Sequence, residues 1–262
     1  MMNCKICSYQ STPFATAVVL GKYGVQYFEC KSCGFIQTEE PYWLAEAYSS
    51  QTITSSDLGV VSRNVTNAKL SMALITAFFD PRAKFIDIGG GYGLLVRLMR
   101  DAGYNFFWSD RSCVNLFAKG AEADLTGGQG YELATSFEVL EHLVSPLEEI
   151  QTYLEYSSGL FFSTSLVPET RPRPNEWWYY QPYEGQHICF YTLESLSSIA
   201  DRFHVHLYSD NRQFHLLTGK RISPYLFRKV LHSKLGWIIR ALGRRRSLLE
   251  DDYLKMTGKR FD

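Results

Sequence analysis

Two groups of residues in this 262-residue sequence have the types and spacing needed for chemistry. The first is Asp87-Ile88-Gly89-Gly90-Gly91-Tyr92-Gly93. The apolar run Ala83-Lys84-Phe85-Ile86 before it reads as a buried strand, and Leu94 to Arg100 after it has helical character. A strand, a glycine turn and a helix start leave a phosphate-sized or nucleoside-sized hole at the strand's carboxyl end. Glycines there permit positive φ and a close backbone approach to a ligand. A dinucleotide fingerprint, Gly-x-Gly-x-x-Gly, would need glycine at position 94, where this chain has Leu94. The pattern is instead Asp-x-Gly-x-Gly-x-Gly, opened by an acid. A carboxylate at a strand end repels a pyrophosphate but suits the ammonium of an amino-acid moiety. That points away from NAD and towards S-adenosylmethionine (SAM).

The second group is four cysteines. Cys4-x-x-Cys7 and Cys30-x-x-Cys33 are separated by twenty-two residues. Two such pairs can supply four thiolates to a tetrahedral zinc. Ala15 to Leu20 and Val25 to Phe28 read as strands around a Gly21-Lys22-Tyr23-Gly24 turn, the layout of a small zinc ribbon. A four-thiolate site is closed, so its expected role is structural. The segment up to Trp43 carries only Lys5, Lys22 and Lys31, which argues against nucleic acid as its partner.

Further elements must position these groups. Asn105 to Asp110 reads as a second strand ending in an acid, placed to meet ribose hydroxyls. Tyr131 to Leu143 contains Phe137-Glu138-Val139-Leu140-Glu141-His142, similar to a segment of many small-molecule methyltransferases. Ser158 to Ser165 supplies another buried strand, and His204 to Ser209 with Gln213 to Thr218 reads as an antiparallel pair. Jointly, about residues 65–220 resemble a class I SAM-dependent methyltransferase. The resemblance implies an α/β, doubly wound, Rossmann-like seven-stranded sheet with an antiparallel final hairpin. It also implies SAM contacts at Asp87, Gly89, Gly91, Gly93, Asp110 and Phe137. Three segments are expected: a ribbon over 1–44, a methyltransferase domain over 45–222, and a basic C-terminal helix and tail over 223–262. The Ser/Thr-rich stretch from Ala45 to Ser56 is expected to cover part of the cofactor cleft.

Asn64 to Phe79, Leu143 to Tyr156 and Thr192 to Phe203 read as helices, with Pro146 opening the second and Thr192 capping the third. The insertion over 167–191 holds Trp177-Trp178-Tyr179-Tyr180 and His187. Its aromatics suit either an acceptor pocket that stacks on sugars or bases, or a small satellite core. A hydroxyl acceptor needs a base. His142 and His187 are the candidates, with Glu138 and then Glu141 as polar alternatives. His204, His206, His215 and His232 read as hairpin or surface residues, and Cys113 and Cys189 as small buried ones. The ribbon, the Phe137–His142 segment and Glu39 to Leu44 resemble a bacterial group that accompanies surface-polysaccharide and nucleotide-sugar enzymes. This implies O-methylation of a sugar, nucleotide sugar or surface glycan, a small-molecule or glycan acceptor. Sugar C-methylation is an alternative, and so is a non-catalytic binding protein of the same fold.

Net charge is zero, but ten of the 27 Lys and Arg residues fall between Asn211 and Leu249, where there is no acid. Phe227, Leu231, Leu235, Ile238 and Leu242 form a helical apolar stripe within that segment. It reads either as a docked terminal helix or as a peripheral anchor on an anionic membrane face. No apolar run is long enough to span a bilayer, and the start of the chain lacks a signal-peptide core, so a cytoplasmic location is expected.

Overall fold

A computed structural model describes residues 2–49 and 57–260. In chain order the elements are β1 (Met2–Asn3), β2 (Gln10–Val19), β3 (Tyr23–Cys30), β4 (Ile36–Thr38), α1 (Leu44–Ala47), α2 (Val60–Phe78), β5 (Lys84–Ile88), α3 (Leu94–Asp101), β6 (Asn105–Ser109), β7 (Leu133–Phe137), α4 (Pro146–Tyr156), β8 (Gly159–Ser163), β9 (Cys189–Phe190), α5 (Leu193–Arg202), β10 (His206–Ser209), β11 (Phe214–Thr218), α6 (Pro224–His232), α7 (Lys234–Leu242) and α8 (Leu249–Thr257). They form a five-stranded sheet, β1-β2-β3-β4-β9, and a six-stranded sheet, β10-β11-β8-β7-β5-β6. Two compact units result. One comprises Met1–Ser55, Glu138–Thr152 and Phe162–Leu217; the other comprises Ser56–Phe137, Tyr153–Phe161 and Thr218–Asp262.

In the second unit, β5 lies parallel to both β6 and β7. Strands covered on both faces read as apolar runs, and Phe85, Ile86, Leu133 and Ala134 are fully buried. Phe85 stacks on Phe106 with ring centroids 5.2 Å apart. α3 turns Leu95, Val96 and Met99 into this core, and α2 packs on α3, α6 and α7. Among the described residues the sheet has six strands, not seven. Beyond β6 the chain makes a single parallel bridge, Trp108 to Glu122. The segment after β6 is interrupted by Gly120 and by Gly127-Gly128-Gln129-Gly130 and lacks an apolar run, so it cannot extend a strand.

In the first unit, β2 and β3 pair antiparallel around the turn at Leu20–Lys22, and β4 pairs with β3. The fifth strand, β9, comes from the 167–191 insertion: Ile36 faces Phe190 and Gln37 faces Cys189. β10 and β11 are neighbours joined through the turn at 210–213, too short for a parallel crossover. Thr192 caps α5 by accepting from Ser195 N–H in a capping box, an arrangement worth ~1 kcal/mol.

One expectation needs correction, that of a single C-terminal helix. His215 lies on the hairpin and is fully buried, its ring nitrogens 2.9 Å from Ser209 Oγ and 3.1 Å from the Thr164 carbonyl. Burial lowers its pKa to about 4. The C-terminal stripe is not one helix. Ser233 is extended and its hydroxyl accepts from Leu235 N–H, so it ends α6 and starts α7. Phe227 and Leu231 are buried, whereas Ile238 and Leu242 are exposed.

Candidate functional site

The glycine loop lies in the second unit. Gly89, Gly91 and Gly93 all have positive φ, which only glycine adopts without strain. A Cβ at Gly90 would lie 2.7 Å from Asp87 Oδ2 and 3.0 Å from Trp108 Cδ1, so any side chain there would displace the acid. Asp87, next to last in β5, is buried and accepts a 2.6 Å hydrogen bond from the Thr135 hydroxyl. Burial raises its pKa to about 7 and the charge of Asp110 adds to the rise, while the Thr135 bond opposes it. A cation set against this carboxyl would restore its ionised form.

Asp110 follows β6 and ties the loops together. Its Oδ2 accepts from Gly91 N–H at 2.9 Å, and its Oδ1 accepts from Ser112 and Cys113 N–H, both at 2.8 Å. Trp108 Nε1 donates to the Gly91 carbonyl at 2.8 Å. Phe137, at the end of β7, packs edge-to-face on Phe161. These residues form a pre-shaped loop bounded by two acids. Sequence reasoning misses Thr135; its signal is a Thr-Ser pair inside an otherwise apolar buried strand.

The acid–base candidates lie in the first unit. Glu138 follows β7 directly and takes φ +56°, a costly conformation for a non-glycine residue. Ser163 holds it there by accepting from Glu138 N–H at 2.9 Å and donating to Glu138 Oε1 at 2.5 Å. The sharp turn ends the strand and starts the short 3-10 turn Leu140–His142. Glu141 is fully buried. Its Oε1 accepts from the Tyr179 hydroxyl at 2.6 Å, and its Oε2 has no hydrogen-bond partner among the described residues. Burial and the charge of Glu138 push its pKa up to about 8, so it is mainly protonated at neutral pH.

His142 and His187 meet edge-to-face with centroids 4.8 Å apart. His187 Nδ1 lies 2.6 Å from the Tyr179 carbonyl, and a carbonyl can only accept. Nδ1 therefore carries the proton and Nε2 carries the free lone pair. His142 Nδ1 lies 3.0 Å from the Tyr48 hydroxyl. Burial lowers His187 to about 4, and burial with the neighbouring His187 holds His142 well below the usual imidazole range. Both rings are thus neutral at working pH. Tyr48 lies in the stretch expected to cover the cofactor; residues 50–56 of that stretch lie outside the described residues.

The two readings of the insertion's aromatics divide by residue. Tyr179, Tyr180 and Phe190 are buried, and Tyr180 lies 4.4 Å from Phe190 and 5.5 Å from Tyr27 by ring centroids, so these build a core. Trp178 and Tyr183 remain exposed.

The four N-terminal cysteines converge. Cys4 and Cys33 sulfurs are 3.6 Å apart, Cys7 and Cys30 sulfurs 3.4 Å apart, and all four lie within 4.8 Å of one another. Four sulfurs about 2.3 Å from a common metal would lie ~3.8 Å apart, so the cluster fits a tetrahedral zinc. Ile6 N–H also points at Cys4 Sγ, at 3.4 Å. Glu141, His142 and His187 bring one ligand atom each within 4.8 Å of one another. Glu141 Oε1 and one nitrogen of each ring are, however, already committed to neighbouring groups.

No curated protein matches the sequence. Among solved structures, the mitomycin 7-O-methyltransferase is similar at 18% identity and a TM-score of 0.37, over 57% of this chain and 53% of that one. The magnesium protoporphyrin IX methyltransferase of Synechocystis PCC 6803, with bound SAH, is similar at 14% identity and a TM-score of 0.42, over 67% and 92%. The plantazolicin methyltransferase, in complex with SAH, is similar at 10% identity and a TM-score of 0.45, over 68% and 94%. The chain thus spans about half the length of the first of these. A family model described as a methyltransferase domain matches residues 63–205, from within α2 to just before β10. With more than half of the chain matched, including β5 to β8 of the six-stranded α/β sheet, the protein belongs to that methyltransferase-domain family.

Proposed function

We propose that the protein is a SAM-dependent O-methyltransferase acting on a sugar, nucleotide sugar or surface glycan. The observation that carries the donor assignment is the acid-bounded glycine loop, in which a buried Asp87 stands at about pKa 7 with no described cation beside it. Asp87 would hold the amino-acid ammonium, Gly89, Gly91 and Gly93 would admit the ligand to the backbone, and Asp110 would face the ribose. SAM, when bound, supplies a methyl group already activated on a sulfonium, so catalysis is mainly alignment. Phe137 would flank the nucleoside.

On the acceptor side, His187 is the preferred base. Its tautomer is fixed by the Tyr179 carbonyl, its Nε2 is free to take a hydroxyl proton, and the His142 ring packs against it. Glu141, protonated and bonded to the Tyr179 hydroxyl, holds the Tyr179 ring against His187. The exposed rings of Trp178 and Tyr183 offer faces for a sugar. Carbon methylation is the second reading. A neutral histidine pair beside a protonated carboxyl also suits removal of a proton next to a carbonyl group. Cys4, Cys7, Cys30 and Cys33 would hold one structural zinc, and a cytoplasmic location suits their free thiols.

Calorimetry with SAM, followed by labelled-methyl transfer from SAM to nucleotide sugars and glycans, tests this reading. No measurable SAM binding would refute the donor assignment. Labelling confined to non-sugar acceptors would refute the acceptor class, and carbon-bound label would select the second reading.

A further inference from the structure

The outward face of α7 is apolar, the reverse of the usual arrangement for a surface helix. Trp237, Ile238 and Leu242 are 63%, 44% and 83% exposed, and with Ala241 they fall at the three- and four-residue steps of one helix face. The inward face is occupied elsewhere. Gly236 is buried so tightly against α6 that a Cβ would lie 1.9 Å from the Val230 carbonyl oxygen, and one at Gly243 would lie 2.7 Å from Thr76 of α2. These two close approaches fix the rotation of α7, so Trp237 cannot turn inward. On α6, Tyr225 and Leu226 are also exposed.

Basic residues share these two helices and the segment after them. Arg228, Lys229, Lys234, Arg240 and Arg244 make no ion pair among the described residues. The acids of α8, the next helix in the chain, are engaged by other residues: Glu250 and Asp251 by Arg246, and Asp252 by Arg97 and Arg100. No helix among the described residues is long and apolar enough to cross a membrane.

We propose that α7, with the exposed start of α6, docks on the surface of an anionic lipid bilayer, with Trp237, Ile238 and Leu242 in the interface and the flanking Lys and Arg residues against the headgroups. Indole rings favour this depth, and apolar burial combined with basic side chains is what an interfacial helix uses. A two-fold self-association would set the same cationic rim against itself. A nucleic acid would leave the apolar centre of the patch uncovered.

The test is co-sedimentation of the full chain with vesicles of phosphatidylglycerol and phosphatidylcholine, against vesicles of phosphatidylcholine alone. Binding to the anionic vesicles only, weakened by salt, is expected. Trp237→Ser with Leu242→Ser should lower the partition constant about tenfold or more, and Lys234→Glu with Arg244→Glu should lower it at least about 25-fold. All four positions are exposed or flank the exposed face, so melting temperatures should not change. Failure to bind either vesicle, or equal binding to both that ignores these substitutions, would overturn the proposal. So would a dimer in sedimentation velocity that the Trp237 and Leu242 changes dissolve, or retention by RNA without retention by vesicles.

Discussion

Replacing Asp87 by asparagine should make the SAM-free protein more stable at pH 8 while abolishing its affinity for SAM. In the folded chain the Asp87 carboxyl is raised from 3.8 to about 7, chiefly by burial. At about 1.4 kcal/mol per pKa unit, keeping it ionised when folded costs roughly 4 kcal/mol relative to the unfolded chain. Because the folded pKa is the higher one, the folded state holds the proton to higher pH. The parent's stability therefore falls as pH rises from about 4 to about 7 and levels off above. The substituted amide would be neutral throughout and could still accept from Thr135. The advantage of the variant should be near zero at pH 4 and should reach its full value by pH 8. At roughly 2 °C per kcal/mol for a chain of this size, that is up to about 8 °C. Thermal melts at several pH values measure it directly. The same advantage at every pH, or a variant less stable at pH 8, would refute the buried-acid argument. Retained SAM affinity would refute the ammonium contact.

Protein purified without added metal should contain about one zinc per chain, and Cys30→Ser with Cys33→Ser should lose it; metal analysis decides. His187→Ala should lower kcat about 10²–10⁴-fold, as expected for loss of a general base, with SAM affinity unchanged in calorimetry. With protonated Glu141 positioning Tyr179 beside His187, kcat should decline as pH rises through about 8, and Glu141→Gln should flatten that limb of the pH–rate profile. Gly90→Ala places a methyl 2.7 Å from Asp87 Oδ2 and should weaken SAM binding more than tenfold; unchanged affinity would show that the acid can move.

Local signals on the chain read well. Thr192 and Pro146 each sit at the start of the helix their chemistry favours, and the glycine loop falls between β5 and α3. Features set by tertiary context are not legible in this way. The apolar period continues through residue 233, and only the extended backbone at Ser233 separates α6 from α7. His215 has the spacing of a hairpin residue, but its burial depends on Ser209 and Thr164, which are opposite to it or distant from it in sequence. The pairing of Glu141 with Tyr179 joins residues far apart in the chain, so two polar residues on separate segments give no sign of it. The same holds for Thr135, whose partner Asp87 lies on a different strand.

The strand β9 has a consequence for how this protein can be inherited and recombined. Its backbone completes the N-terminal sheet through Ile36 and Gln37, Thr38 N–H donates to the Ile188 carbonyl, and the Thr192 hydroxyl donates to the carbonyl of Cys33. The cysteine-bearing segment and the segment that carries His187 are therefore a single folding part written in two distant stretches of the gene. A shortened chain lacking residues 1–40 would expose the edge of β4's partner and the aromatic cluster behind it. An exchange of the N-terminal segment between relatives would succeed only if residues 167–191 travelled with it, so changes in one stretch should be matched by compensating changes in the other.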